Sequence, residues 1–363
     1  MSNYIEYKDK IAFHPGYYIQ EIVDDSGLTQ EDFSRRLDTT PKTLSLLLRG
    51  EQNLSIDISV KLSRLTGTSA QYWLNLQAAY DALIAEFKSE KELELERQVF
   101  KLIDYRYFRD EFGLPALPRR TDEQIREVRR FLKVSSLTVF RNPNLTVNFR
   151  SAGGNINESN TVKANIMVQI AINKALQTDA PKFDKDAFNS AIDYVLTLTQ
   201  DHASFYPLIR NAFQASGVIF VMLPNFTGSR INGATKKLGQ NILLMVNDRR
   251  MYSDTFWFTL FHEIGHIVHG DFGISLEGDD SDIEKKADRY AEDKLIPPDS
   301  YQRFLSDGNF TAESIRVFSQ QINRAPGIVL GRLQKDGILG RNNPQFNGLR
   351  EKYKIKYLTK HPT

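Results

Sequence analysis

The sequence predicts a mainly α-helical protein with a small sheet, an α+β architecture in two parts, and three observations carry that reading. Two short, separately capped helical patterns follow one another between Leu28 and Gly50. Two short apolar runs, Gly217–Pro224 and Asn241–Asn247, are bounded by turn formers and read as buried strands. A His-Glu-x-x-His stretch, His262–His266, then lies on a helical pattern. With 363 residues, 41% hydrophobic and 25% charged, the chain has material for two or three cores at ~100–200 residues per domain.

From the beginning, Met1–Lys10 lacks the apolar run of a signal peptide, and no stretch approaches the ~20 apolar residues of a membrane span. The expectation is a soluble cytoplasmic protein with no membrane partner. Lys+Arg 47 against Asp+Glu 45 leaves a net charge of +2, so charge alone points to no nucleic acid or membrane surface. The absence of cysteine excludes disulfides and thiolate chemistry, and leaves His, Asp and Glu as metal ligands.

Thr29 reads as an N-cap with Asp32 at the third helical position, and Phe33 and Leu37 form an apolar i, i+4 pair. Thr40 followed by Pro41 starts a second helix, because proline at the first helical position lacks only an N–H that the helix does not use. Gly50 closes that helix. Two short helices so joined form a helix-turn-helix, whose second helix can enter a DNA major groove. Thr40, Lys42, Thr43 and Ser45 face away from Leu44 and Leu48 and are the candidates for base contact; Gln30 and Arg49 are candidates for phosphate contact. A plain helical hairpin has the same pattern, and four basic against three acidic side chains over 29–50 do not separate the two. The stretch His14-Pro15-Gly16, the Leu28–Gly50 core and Tyr72–Tyr80 resemble HigA-type antitoxins of the Xre helix-turn-helix family. That resemblance implies a DNA-binding domain over 1–81 that represses its own promoter, with double-stranded operator DNA as partner and a homodimer as the usual state.

Residues 82–112 continue as a charged helical pattern, with Leu93, Leu95, Val99, Leu102 and Ile103 apolar, and read as a helical connector. Gly113–Pro118 breaks it and places a domain boundary near Gly113. Thr121-Asp122-Glu123-Gln124 reads as a capping box opening a helix toward Lys133. The ten basic and six acidic residues of 97–133 form either a solvated face or a surface along flanking DNA. Gly153–Asn157 is a loop without the spacing of a phosphate cradle.

On a helix, His262 and His266 project from one face and can bind a single zinc ion at ~2.0–2.1 Å. Glu263 lies beside them, placed to take a proton from a nucleophilic water. His269 shares the face but sits about 10 Å further along the axis, beyond reach of the same ion. A third ligand must be a carboxylate, drawn from Asp271, Glu277, Asp279, Asp280, Asp282, Glu284 and Asp288. Helical periodicity puts Glu284, Ala287, Asp288 and Ala291 on one face, so Glu284 can ligate while Asp288 orients His262 through its other ring nitrogen. Alternatively Glu284 bonds back to Ser281 in a capping box. The acidic loop Glu277–Asp282 reads as solvated.

The stretch Asp254–Leu260, the His-Glu-x-x-His, Glu284-Lys285-Lys286-Ala287-Asp288-Arg289-Tyr290-Ala291 and Leu295-Ile296-Pro297 resemble the ImmA/IrrE metallopeptidases, as does Pro326–Gln334. Asp288 stands where that family usually has Asn and Tyr290 where it has Phe. The resemblance implies a zincin-like metallopeptidase domain over 113–345 with Glu284 as third ligand and Glu263 as catalytic base; the residues that follow, 346–363, read by their charge as a basic tail. The Ile242–Val246 strand is expected to pair with an extended substrate, and His269 or Tyr290 to assist at the oxyanion. Two functions follow: a DNA-bound regulator that cleaves a repressor-like protein or itself on a signal, or a HigA-like antitoxin whose peptidase-like domain binds a toxin or ligand without proteolysis. A third use of the site is to sense metal and shift DNA affinity.

Overall fold

A computed structural model describes residues 4–7, 9–143, 157–249, 252–276, 281–341 and 343–353. The chain divides into two compact units, Met1–Leu95 and Glu96–Thr363.

In the first unit an antiparallel hairpin, β1 (Tyr4–Tyr7) and β2 (Lys10–Phe13), precedes four helices: α1 (Pro15–Asp25), α2 (Gln30–Arg36), α3 (Pro41–Leu48) and α4 (Ile56–Thr66). A fifth, α5 (Ala70–Phe100), spans the point at which the units divide. Thr29 Oγ1 accepts the Asp32 N–H at 3.1 Å, and Thr40 Oγ1 accepts that of Thr43 at 3.1 Å, so both caps read from the sequence form. Gly50, at φ 69°, follows α3 in the left-handed conformation that ends helices. Ile19, Phe33, Leu37, Leu44, Leu48 and Trp73 join one core. The Tyr72–Tyr80 stretch closes it, because Trp73 is buried and the Gln77 amide oxygen accepts the Leu54 N–H at 2.8 Å.

The second unit runs through α6 (Tyr105–Phe112), α7 (Thr121–Leu132), α8 (Glu158–Ala175), α9 (Lys185–Thr197) and α10 (Phe205–Ala215) to β3 (Val218–Leu223), β4 (Ile231–Leu238) and β5 (Asn241–Asn247). Then come α11 (Ser253–His269), β6 (Gly273–Leu276), α12 (Asp282–Leu295), α13 (Pro298–Asp307), α14 (Ala312–Gln321) and α15 (Pro326–Lys335). The four-stranded sheet has the order β3-β5-β4-β6, with β3 and β5 parallel and the other pairs antiparallel. Helix α11 packs its apolar side, including Trp257, Leu260, Phe261 and Ile264, into the core that also takes Leu244 and Val246 of the sheet.

Both apolar runs are strands, and the mixed helical and sheet architecture is as the sequence predicts. Three expectations need correction. The Ile242–Val246 strand is central, hydrogen-bonded to β3 on one side and β4 on the other, so it has no open edge for a substrate. Arg120, rather than Thr121, occupies the N-cap of α7, without a side-chain bond, and no capping box forms there. The helical pattern over 82–112 breaks after Phe100 and resumes at Tyr105. In the 97–133 run, Arg97 pairs with Asp122, Arg106 with Asp104, Arg109 with Asp110 and Arg129 with the buried Glu96, so much of its charge is answered locally. The loop at 153–156, the acidic residues 277–280 and the tail residues 354–363 lie outside the described residues; Asn157 caps α8.

Candidate functional site

Helix α11 presents His262, Glu263 and His266, all buried, and α12 brings Glu284 against them. The approach of these helices needs small residues: Ala287 and Ala291 are fully buried, and a Cβ on Gly265 would lie 3.1 Å from Tyr290 and 3.3 Å from the Ala287 backbone. One ligand atom from each of His262, His266 and Glu284 then falls within 4.8 Å of the others. His262 Nε2 is 2.9 Å from Glu284 Oε2 and 3.0 Å from His266 Nε2, and His266 Nε2 is 3.2 Å from Glu284 Oε1. The backbone N–H of Glu284 is donated to Ser281 Oγ, while its carboxylate turns to the imidazoles rather than back to the cap.

His262 Nδ1 lies 2.8 Å from Asp288 Oδ1. A carboxylate only accepts, so Nδ1 carries the proton and Nε2 is left with a lone pair directed at a carboxylate oxygen and a second ring nitrogen. Acceptors converging in this way repel unless a cation stands among them. With a proton in that role, burial lowers the His262 pKa but Asp288 and Glu284 outweigh it, raising it to about 9. Burial pushes the Glu284 carboxyl up, and the two imidazoles overcome this and hold it down at about 2. Two imidazole nitrogens and a carboxylate, with one ring already fixed from behind, are also a donor set suited to zinc.

Glu263 is 0% exposed and packs over β4. A Cβ at Gly233 would come within 2.5 Å of its carboxylate, so the missing side chain makes its place. Ser275 on β6 sets its hydroxyl 3.5 Å from Nε2 of both histidines. Neither Gly233 nor Ser275 is singled out by sequence, because only strand pairing carries them to the histidines. A cavity of about 510 Å³ opens beside the cluster, lined among others by Phe258, His262, Glu284, Asp288, Arg332 and Lys335. Tyr290 and His269 do not line it; their rings meet each other at 5.8 Å.

In the first unit, Gln30, Thr40, Lys42 and Arg49 are exposed, and Thr43 and Ser45 half-buried, on or beside α2 and α3. The Thr40 and Thr43 hydroxyls bond each other at 2.8 Å. Arg49 is held by Glu51, with Nε to Oε1 at 2.9 Å and Nη2 to Oε2 at 3.1 Å, so a phosphate there competes with that carboxylate. The turn between the helices passes through Asp38 at φ 52°, and Lys61 of α4 braces it with a bond to the Asp38 carbonyl at 2.8 Å.

The helix-turn-helix family matches residues 19–73. The uncharacterized HTH-type transcriptional regulator YddM of Escherichia coli (strain K12) is 40% identical over 79 residues, 21% of this chain and 84% of its own. Virulence-associated protein I of Dichelobacter nodosus is 33% identical over 76 residues, 21% of this chain and 70% of its own. Among solved structures, a putative antidote protein of a plasmid maintenance system from Nostoc punctiforme aligns at 28% identity over 23% of this chain and 92% of its own, with a TM-score of 0.23. PA4674 of Pseudomonas aeruginosa, in complex with its operator DNA, aligns at 28% identity over 23% of this chain and 93% of its own, with a TM-score of 0.22.

Proposed function

Because the chain belongs to the helix-turn-helix family of transcriptional regulators, we propose that it is an operator-binding regulator whose second unit is a zinc-dependent endopeptidase, zincin-like in type, that cuts a repressor-like protein or itself on a signal. The observation that carries the enzymatic half is the convergence of His262, His266 and Glu284 into a cluster whose lone pairs call for a cation, beside a buried Glu263. A zinc ion held by these three residues would supply Lewis acidity toward a peptide carbonyl and make a nearby water more acidic. Glu263 would take a proton from that water as the water oxygen adds to the carbonyl carbon, and pass that proton to the amine nitrogen as the C–N bond breaks. Asp288 keeps His262 in the tautomer that leaves Nε2 free to ligate. Among the described residues β6 is an edge strand of the sheet and carries Ser275 to the histidines, so it is the strand beside which an extended peptide can lie. In the first unit, α3 presents Thr40, Lys42, Thr43 and Ser45 to the major groove, with Gln30 and Arg49 toward phosphates.

The test is a Glu263→Gln variant incubated with zinc. Cleavage, of the chain itself or of a repressor-like substrate, falls by about 10²–10⁴-fold, the range for loss of a positioned base, while operator binding and zinc content stay at wild-type levels. Undiminished cleavage sinks the proposal. The burial of Glu263, away from the cavity lining, favours a second reading in which the unit binds zinc, a toxin or a ligand without hydrolysis. Zinc-dependent operator binding that persists in Glu263→Gln, with no proteolysis in wild type, supports it.

A further inference from the structure

Helix α15 carries Lys335 to the back of the metal cluster. Its Nζ is 2.9 Å from Asp288 Oδ2, while the other oxygen of that carboxylate, Oδ1, is 2.8 Å from His262 Nδ1. Three groups thus stand in a row: ammonium, carboxylate, imidazole. The ammonium also reaches Glu292 Oε1 at 2.8 Å and lies over the Phe258 ring, 4.4 Å from its centroid. Glu292 is answered in turn by Arg332 at 3.3 Å, and Arg332 by Asp336 at 2.9 Å. We infer that Lys335 is a positioning residue for zinc, acting through Asp288 to set the plane and tautomer of His262, and this rests on the reading of the cluster as a zinc site.

The physical reason is orientation. A carboxylate held only through Oδ1 can rotate about its last bond and lose its alignment with the ring, whereas a cation on Oδ2 fixes both oxygens. The same cation offsets charge where Glu263, Glu284, Asp288 and Glu292 gather on two helices, since its ammonium touches both Asp288 and Glu292. Partners of this kind behind a metal-ligating histidine typically change metal affinity by 10–100-fold. The packing over Phe258 is apolar as well as ionic, and methionine at 335 keeps most of it while removing the charge.

Zinc affinity is measured by competition with a chromogenic chelator on the full chain, for wild type, Lys335→Met, Lys335→Arg, Asp288→Asn and the double variant Asp288→Asn/Lys335→Met, with zinc-free melting recorded for each. Lys335→Met is expected to weaken zinc binding by about tenfold or more, and Lys335→Arg to restore most of it. In the Asp288→Asn background, Lys335→Met should have no further effect, since the path through that carboxylate is already cut. Unchanged zinc affinity in Lys335→Met overturns the role, as does a loss that simply adds to that of Asp288→Asn. If Lys335→Met melts early, the Lys335→Arg comparison and the double variant against Asp288→Asn still decide. A wild-type chain that takes up no zinc overturns the metal-site reading itself, an outcome distinct from wild type and Lys335→Met binding zinc equally.

Discussion

Gly233 and Glu263 are a matched pair: the strand gives up a side chain where the helix needs room for one. A methyl group at 233 would meet Oε1, Cδ and Cγ of Glu263, each at 2.6 Å or less, and β4 cannot retreat because β5 and β6 hold it on both sides. The strain therefore falls on the glutamate. In Gly233→Ala the carboxylate should swing out of position while His262, His266 and Glu284, carried on other contacts, stay where they are. A displacement of about 1 Å costs roughly 10²-fold in rate when the displaced group is catalytic. The expected outcome is a Gly233→Ala protein with wild-type zinc content and a cleavage rate lower by about that factor. Normal cleavage in that variant would mean that Glu263 does not act from its observed place.

Between elements, the closeness of α11 and α12 decides whether Glu284 reaches the two histidines at all. Gly265 faces Tyr290 and the Ala287 backbone, so a bulky side chain there must push the helices apart. Gly265→Leu should lose zinc, measured as metal per chain after dialysis, while Gly265→Ala, which asks its neighbours to give only by tenths of an ångström, keeps most of it. Overpacking of this kind costs about 1–3 kcal/mol, so melting should fall in the leucine variant too. Equal zinc in both would show that the ligands do not depend on this helix contact. Much at this scale was legible in the sequence. Cap residues and turn formers are local signals, and they marked Thr29, Thr40, Pro41 and Gly50 as helix ends before any fold was known. Helical spacing likewise placed His262 with His266, and Glu284 with Asp288. What stayed hidden depends on pairing between distant segments. The run Tyr4–Phe13 is a hairpin without a Gly-containing turn, and Ile231–Leu238 is a strand whose Asn232, Gly233, Thr235, Lys236 and Lys237 mask its place between β5 and β6. Lys335 lies 47 positions from the carboxylate it holds, and no periodicity links them.

Across the whole chain, polar groups buried in the first unit, such as the Gln77 amide oxygen on the Leu54 N–H, are answered by neutral partners, whereas the second unit closes part of its interior around three acceptors that need a cation. Metal removal should therefore be felt unevenly. Binding to the folded state alone stabilises by RT ln(1 + [L]/Kd), about 4 kcal/mol at a thousandfold excess over Kd, and chelation withdraws that stabilisation. Without zinc, a proton can take its place on His262, but one proton binds through a single bond where the metal would bind all three ligands. Hydrogen exchange in zinc-loaded and chelator-treated protein is the measurement that separates the units. Amides of α11 and α12 should exchange faster after chelation, while those of α1 to α4 keep their rates. Uniform acceleration across both units would contradict a metal contribution confined to the second, and no change anywhere would remove zinc from the stability of this protein.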